Sequence, residues 1–232
     1  MTIIREERIG NQRLLLGDCL QVMPTLGRFD AVVTDPPYGI AYVHGAEKRR
    51  HASAHNEKPI RGDDRPFDPA PFLDARAILW GANHFAARLP GGGRWLVWDK
   101  RDGVGFNDQS DIEMAWMSGE RRADRIFSHL WSGYSKASER GVARVHPTQK
   151  PVAVMEWCLG FLPNARTILD PFMGSGTTLV ACQRLGRHGT GIELDPEYFE
   201  GACRRVDEAA RQPDLLIPET RAAAPVQEGF DL

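Results

Sequence analysis

The sequence predicts an α/β fold with a mixed, mostly parallel sheet of the Rossmann-like type. Two short apolar segments, residues 29–33 and 167–169, have the continuous β-branched character of strands buried on both faces. Each is followed by an acidic residue, Asp35 or Asp170. A glycine-rich turn follows the second segment and leads into a helical apolar pattern over residues 175–185. Because ligands of open parallel sheets bind beyond the carboxyl ends of the strands, both acidic residues are candidate site residues.

Length and charge indicate one ordinary globular domain. The chain has 232 residues, enough for one sizeable core. We expect a single domain over residues 1–210, basic insertions near residues 44–65 and 119–145, and a flexible tail over residues 211–232. With 29 basic and 31 acidic side chains, the net charge of −2 does not indicate a nucleic-acid-binding protein. Any such surface must therefore be local, and the two insertions are its candidates.

Several protein classes are not favoured by the sequence. The chain has no apolar run of membrane-spanning length and a charged beginning unlike a secretion signal, so we expect it in the cytoplasm. Its four cysteines lie far apart without a C-x-x-C pair, which indicates reduced thiols. His44, His51 and His55 lack nearby cysteines or carboxylates at metal-ligand spacing, and we expect no metal.

The second strand and its turn have the features of a nucleoside site. Gly174 and Gly176 let the backbone come close to a ligand, and the start of the following helix offers free N–H groups. A further strand, near residues 189–194, delivers Glu193 about 20 residues after the loop, where such folds bind ribose hydroxyls. The stretch Asp-Pro-Glu at residues 195–197 then opens another helix.

The loop chemistry favours one nucleoside cofactor over another. A nicotinamide dinucleotide prefers a third glycine, but Thr178 or Leu179 stands there. Asp170 at the start of the loop would also repel a pyrophosphate. S-adenosylmethionine has no phosphate and carries an ammonium group and a sulfonium, so it suits the loop better. A dehydrogenase stays open as an alternative on the glycine-rich loop alone.

Four motifs together resemble those of DNA amino-methyltransferases of the adenine-N6 and cytosine-N4 family. In chain order they read LLLGDCLQVMPTL, TDPPYGI, HPTQKPV and DPFMGSGTT. The D-P-P-Y motif precedes the cofactor motif, which is the circularly permuted order of the β group of these enzymes. The resemblance implies an S-adenosylmethionine-dependent methyltransferase fold of seven strands, one of them antiparallel.

The permuted order also implies strand neighbours. The strands beginning near residues 166 and 189 would be the first two of the fold, and residues 14–16 the third. The strand at residues 29–33 would lie next to the first of these. We expect further strands in AILWGA, RWLVWDK, DIEMAWM and IFSHLW.

The resemblance assigns the D-P-P-Y motif to catalysis; its residues are Asp35, Pro36, Pro37 and Tyr38. Asp35 and the Pro36 carbonyl would accept hydrogen bonds from the exocyclic amine of a base extruded from duplex DNA, and Tyr38 would stack on that base. The methyl would pass directly from the sulfonium to the amine. In isolation the same motif reads as a turn.

The residues expected to bind the cofactor are those of the glycine-rich loop, Glu193 and two residues outside that segment, Asp18 and Lys150. Asp18 would accept from the cofactor's adenine amine, or serve only as a helix cap; Lys150 would hold the methionine carboxylate, or be merely solvated. Phe172 would cover the cofactor ring, or simply pack. The full set is Asp18, Lys150, Asp170, Phe172, Gly174, Ser175, Gly176, Thr177 and Glu193.

The basic candidates for contact with double-stranded DNA lie in the two insertions; they are Lys48, Arg49, Arg50, Arg121, Arg122 and Lys136. Little chain is left for a target-recognition domain, so we expect a short target sequence or relaxed specificity, with a homodimer enlarging the DNA surface. Asp35 favours adenine-N6 as the target, because cytosine-N4 enzymes more often resemble S-P-P-Y. A cytosine-N4 enzyme and a non-catalytic binding protein are the alternatives, and the family resemblance fits restriction-modification systems.

Overall fold

The computed structural model describes residues 3–39, 62–103, 110–132, 135–139, 141, 145–146 and 148–212. The strands are β1 Arg5–Ile9, β2 Gln12–Leu16, β3 Ala31–Thr34, β4 Arg76–Trp80, β5 Arg94–Asp99, β6 Ile112–Met117, β7 Arg125–Ser128, β8 Trp131–Ser132, β9 Ser135–Lys136, β10 Thr167–Asp170 and β11 His188–Glu193. The α-helices are α1 Cys19–Val22, α2 Val152–Gly160, α3 Thr177–Arg184 and α4 Pro196–Arg211. Short 3₁₀ helices cover Met23–Thr25, Ala70–Phe72 and Ala82–Arg88.

Nine strands form one mixed sheet in the order β1-β2-β11-β10-β3-β4-β6-β5-β7. The pairs β2–β11, β11–β10, β10–β3, β3–β4 and β5–β7 are parallel. Strand β6 runs antiparallel to both β4 and β5, and β1 is antiparallel to β2. The α/β class and the mostly parallel sheet are therefore confirmed.

The strand neighbours expected from the permuted motif order are confirmed. Strand β10 lies between β11 and β3, and β2 follows β11, although β10 and β11 come last in the chain. The central seven strands contain one antiparallel strand, β6, as expected. Two further strands, β1 and β7, extend the sheet at its two edges.

Alternating side chains of the strands supply two separate cores. On one face, Leu14, Val33 and Ile78 pack with the apolar sides of α2, α3 and α4. On the other face, Leu15 and Val32 pack with aromatic residues of the short 3₁₀ segments. Both faces of the central strands are thus covered, which explains why these strands lack polar alternation in the sequence.

The sequence predicted one of the two edge strands and not the other. Strand β1 was not predicted; it reads REERI, and its charged side chains are typical of an edge strand that is protected from pairing with other chains. Strand β7 overlaps the strand expected in IFSHLW and pairs with β5, and it lies within residues 119–145, where an insertion was also expected. Most of the other expected insertion, and the tail beyond residue 212, fall outside the described residues. Within the described part of the chain, no helix is both long and apolar enough to span a bilayer.

Candidate functional site

The loops after β3 and β10 open side by side at the carboxyl edge of the sheet. Because these strands are parallel neighbours, Asp35 and Gly174 come to the same crevice. A cavity of about 1200 Å³ extends along this edge and is lined by both loops. This geometry agrees with the predicted strand order, which places the two loops side by side beyond the carboxyl ends of neighbouring strands.

Asp35 is held by a tyrosine and a lysine. The Tyr38 hydroxyl donates to Asp35 Oδ1 at 2.5 Å, and the Lys150 ammonium lies 2.5 Å from Asp35 Oδ2. Both carboxylate oxygens are therefore already partnered. Burial raises the pKa of Asp35 above its ordinary value, although the Lys150 charge opposes that shift.

Tyr38 has a position that depends on a glycine. Its ring stacks on His84, with centroids 5.0 Å apart and planes at 14°. Gly81 has a φ of +65°, and a Cβ there would lie 1.9 Å from the Tyr38 ring. Only glycine leaves room for the ring in this arrangement. Burial also raises the pKa of Tyr38, so its hydroxyl remains a proton donor near neutral pH.

Lys150 connects Asp35 to a second carboxylate. Its ammonium lies 3.1 Å from Glu113 Oε2, and its side chain is only 4% exposed. The Glu113 Oε1 atom accepts from Lys100 Nζ at 3.2 Å. Burial would lower the pKa of Lys150, but Asp35 and Glu113 together raise it. The lysine that we expected to hold a cofactor carboxylate thus has protein carboxylates as partners in this structure.

Glu193 accepts one backbone hydrogen bond from the glycine-rich loop and another from the N-cap residue of α4. Its Oε2 accepts from the Gly174 N–H at 2.9 Å and its Oε1 from the Asp195 N–H at 2.8 Å. Burial raises the pKa of Glu193 to about 7. The carboxylate lines the large cavity and has free lone pairs, which suits it to accept from ligand hydroxyls.

Asp170 is buried behind the loop. Its Oδ1 accepts from Thr34 Oγ1 at 2.6 Å and from the Phe172 N–H at 3.2 Å. Burial raises the pKa of Asp170 to about 6. Asp170 lines a small cavity of about 40 Å³ between the two loops, together with Asp35 and Gly174.

The second half of the glycine-rich loop contacts helix α4 and does not line the large cavity; its residues are Ser175, Gly176 and Thr177. A Cβ on Gly176 would lie 3.0 Å from the Ala202 Cβ of α4, so this glycine permits helix packing. Gly176 therefore has a packing role in this structure, and its contact with the cofactor stays a prediction. Ser175 and Thr177 are buried, and Arg205 donates to the Ser175 carbonyl and to Thr177 Oγ1.

An aromatic wall and Asp18 line the remainder of the large cavity. Phe172 packs with Phe67 and Phe72 at centroid separations of 5.8 and 5.4 Å. Asp18 caps α1, where its Oδ1 accepts from the Leu20 N–H at 2.9 Å, and it also lines the cavity. The two alternatives stated for Asp18 are thus compatible with each other.

The basic residues expected to contact DNA are widely separated. Lys136 packs over the ring of Trp131, which lines the cavity. Arg121 and Arg122 follow the end of β6, and because β6 is antiparallel they lie at the opposite edge of the sheet. They therefore lie away from the cavity that Trp131 and Lys136 border, and their contact with DNA stays a prediction. The remaining three, Lys48, Arg49 and Arg50, lie outside the described residues.

Sequence reasoning missed three residues of this site. Glu113 lies near the start of an apolar strand, and a single charged residue there carries no motif. His84 and Gly81 belong to the segment after β4. The only feature of the sequence that could have indicated a site there is the glycine that follows a buried strand. Within the described ranges, no group of three or more His, Cys, Asp or Glu side chains is arranged to hold a metal ion.

Comparison with known proteins gives consistent matches. Residues 95–204 match the family model described as DNA methylase, N6_N4_Mtase. The type II methyltransferase M2.LlaDCHI of Lactococcus lactis subsp. cremoris is 42% identical over 83 residues, which is 35% of this chain and 30% of the relative. The type II methyltransferase M.HpaI of Haemophilus parainfluenzae is 46% identical over 63 residues, 27% of this chain and 20% of the relative. The matched segments thus span less than a third of these relatives.

Solved structures share the fold. The M1.HpyAVI–SAM complex has a TM-score of 0.53 at 24% identity and covers 84% of this chain and 99% of that one. The PvuII DNA methyltransferase, described as cytosine-N4-specific, has a TM-score of 0.58 at 13% identity and covers 88% of this chain and 90% of that one. The expected methyltransferase fold is confirmed by these likenesses.

Proposed function

We propose that this chain, which matches the N6/N4 DNA methylase family over residues 95–204, transfers a methyl group from S-adenosylmethionine to the N6 amine of an adenine in duplex DNA. The observation that carries the proposal is the common crevice of the Asp35 and Gly174 loops. The Gly174 loop has the chemistry to hold a nucleoside cofactor, and the Asp35 loop has the chemistry to hold the amine of the base. A direct transfer between the two requires such adjacency.

The cavity fits S-adenosylmethionine in chemistry and in size. An aromatic wall that includes Phe172 offers a surface for an adenine ring, and Glu193 offers acceptors for ribose hydroxyls. The Asp18 carboxylate faces the same cavity and is suited to accept a hydrogen bond from the cofactor's adenine amine. When bound, the cofactor supplies an electrophilic methyl group.

Asp35 prepares the amine for attack. The lone pair of an exocyclic amine is delocalised into the base, and acceptors directed at its two N–H groups favour localisation on nitrogen. Asp35 supplies one acceptor, and the stiff turn of Pro36 and Pro37 leaves a carbonyl free to be the other. A bound cofactor would give up its methyl group to this nitrogen, and the amine would release one proton to solvent.

Base extrusion is supported by the aromatic residues at the cavity. Removing a base from the duplex costs about a few kcal/mol, and stacking on an aromatic ring returns about 1–3 kcal/mol. Tyr38 stacks on His84, and both rings line the cavity. We propose Tyr38 as the stacking surface and Lys136, next to Trp131, as a phosphate contact near the entrance.

Adenine is the preferred target because the motif begins with Asp35 rather than serine. Cytosine-N4 methylation is the second candidate, since the family includes both amine types. The proposed target is a short DNA sequence, with dimerisation enlarging the DNA surface. The reaction in the cell would then fit a restriction-modification or a related DNA-marking system.

The test is methyl transfer to duplex DNA from labelled S-adenosylmethionine, followed by digestion and separation of the nucleosides. N6-methyldeoxyadenosine is the expected product. N4-methyldeoxycytidine in its place would establish the second candidate. Tight cofactor binding without label in any DNA would contradict the enzymatic proposal and favour a non-catalytic binding protein.

A further inference from the structure

Glu113 takes part in a closed set of charges around Asp35. Lys150 lies between the two carboxylates, 2.5 Å from Asp35 and 3.1 Å from Glu113. Lys100 contacts Glu113 from the other side at 3.2 Å. Two lysines and two carboxylates thus alternate in one row, and their formal charges cancel.

The burial of Lys150 makes its second partner important. An unpaired buried charge is strongly destabilising, so Lys150 requires anionic partners in the folded chain. If Asp35 were the sole partner, the ammonium would compete with a substrate amine for the Asp35 oxygens. Glu113 shares the ammonium and thereby leaves more of the acceptor capacity of Asp35 available.

Glu113 also acts on the charge of Asp35. Its own negative charge raises the pKa of Asp35, whereas Lys150 lowers it. Burial would raise the pKa of Glu113, but Lys150 and Lys100 hold it below its usual range. The two lysines thus favour the ionised form of Glu113, and the Glu113 charge in turn disfavours the ionised form of Asp35.

The other polar groups near this row do not replace Glu113. Tyr38 donates to Asp35 and stays protonated because burial raises its pKa. Asp170 lies across the small cavity, and the Asp35 charge adds to the burial that raises its pKa. His146 is neutral near pH 7, because burial and the Lys150 charge lower its pKa to about 4.

We propose that Glu113 is a positioning residue for methyl transfer: its ion pair with Lys150, which also contacts Asp35, fixes the orientation of Asp35. This inference rests on the proposed function, since it assigns Asp35 to the amine. Glu113 touches neither base nor cofactor in this scheme and acts through Lys150.

Two substitutions give opposite expected shifts in the pH profile of kcat/KM. Glu113→Gln removes a negative charge, so the acid limb, where Asp35 becomes protonated, moves to lower pH by about one unit. Lys150→Met removes the positive charge and moves the acid limb to higher pH. The plateau rate of Glu113→Gln falls by about tenfold, because Lys150 then pairs with Asp35 alone.

Glu156→Gln is the matched control. Glu156 is ion-paired with Arg184 and its side chain is 31% exposed, against 32% for Glu113, but it lies on α2 away from the cavity. We expect the pH profile of this variant to coincide with that of the unchanged protein. A profile that shifts equally in the Glu156 and Glu113 variants would overturn the inference.

A second measurement does not depend on activity. Carboxyl ¹³C NMR of aspartate-labelled protein, with Asp35 assigned from Asp35→Asn, follows the titration of Asp35 directly. We expect a lower pKa in Glu113→Gln and a higher one in Lys150→Met. Curves that coincide with the unchanged protein overturn the inference, whereas shifted curves in a protein that methylates no DNA support the charge arrangement and contradict the proposed function.

Discussion

The loops after β10 and β3 lie side by side, but different interactions hold them. The Gly174 loop is held by two of its own backbone N–H groups: Gly174 donates to Glu193 Oε2, and Met173 donates to the Ile192 carbonyl, both on the adjoining strand of the same βαβ unit. The Asp35 loop is held by side-chain charges from distant segments, Lys150 before α2 and Glu113 on β6. Hydrogen bonds within one βαβ unit thus fix the Gly174 loop, the nucleoside side of the cavity. Ion pairs with distant segments fix the Asp35 loop, the amine side. The two sides are therefore expected to respond to different mutations.

Asp35→Ala has the largest expected effect and separates the two loops. Methylation should fall by at least about a hundredfold, because an acceptor for the reacting amine is lost. Cofactor affinity should change less than about twofold, since the Gly174 loop keeps its own hydrogen bonds, and Lys150 keeps Glu113 as a partner. Single-turnover methylation and calorimetric titration of the cofactor measure the two quantities. Equal losses in both would contradict the separation.

Gly81→Ala tests whether the amine side depends on the position of Tyr38. The new Cβ would overlap the Tyr38 ring, so we expect the ring to move and methylation to fall by about tenfold. Gly186→Ala is the control, because Gly186 has a similar φ of +63° and open space around its Cβ position. Both variants carry backbone strain of about 1–2 kcal/mol. Thermal unfolding reports that shared cost, and a loss of activity confined to Gly81→Ala supports the steric role.

Glu193 gives the nucleoside side a pH dependence of its own. Burial raises its pKa to about 7, so it becomes protonated as the pH falls through that value and loses acceptor strength. We expect cofactor affinity to weaken by about three- to tenfold between pH 8 and pH 6. Glu193→Gln should flatten this dependence, as measured by calorimetry in matched buffers.

The stability contribution of Glu193 has the opposite direction. Its folded pKa exceeds the value of about 4.3 expected in the unfolded chain, so the folded state binds more protons between the two values. The free energy of unfolding therefore falls as the pH rises from about 4.3 through 7, and Glu193→Gln should reduce that slope. An unchanged slope in denaturant unfolding would show that Glu193 is ionised in the folded chain throughout this range.

The difference between the loops also explains what the sequence could predict. The strand, turn and helix around Gly174 are contiguous, and their glycines, acidic residues and spacing identify the site directly. Asp35 and Tyr38 were identified by a contiguous motif for the same reason. Glu113 was not, because its role depends on the pairing of β6 with β4 and β5, which brings it to Lys150 only in the folded sheet. Gly81 was also missed, because glycine is required at this position only by the nearby Tyr38 ring, which the sequence does not show.

The smallest expected effect is that of replacing Arg121 and Arg122, because the direction of β6 places them away from the cavity. Arg121 and Arg122 were grouped with Lys136 because all three belong to one basic, aromatic stretch. Strand β6 ends at the opposite edge of the sheet, so the arginines follow it there, whereas Lys136 packs over Trp131 at the cavity. Arg121→Ala with Arg122→Ala should therefore change the KM for a short duplex by less than about twofold.

Lys136→Ala, measured on the same duplex, provides the contrast. A phosphate contact near the cavity should raise KM by about three- to tenfold at low salt and reduce its salt dependence. Because the arginine pair removes two positive charges and Lys136 only one, an effect of total charge would rank the variants in the reverse order. The ranking therefore distinguishes position at the cavity from charge alone: a larger KM for the arginine pair would contradict the role of Lys136 as the phosphate contact near the cavity.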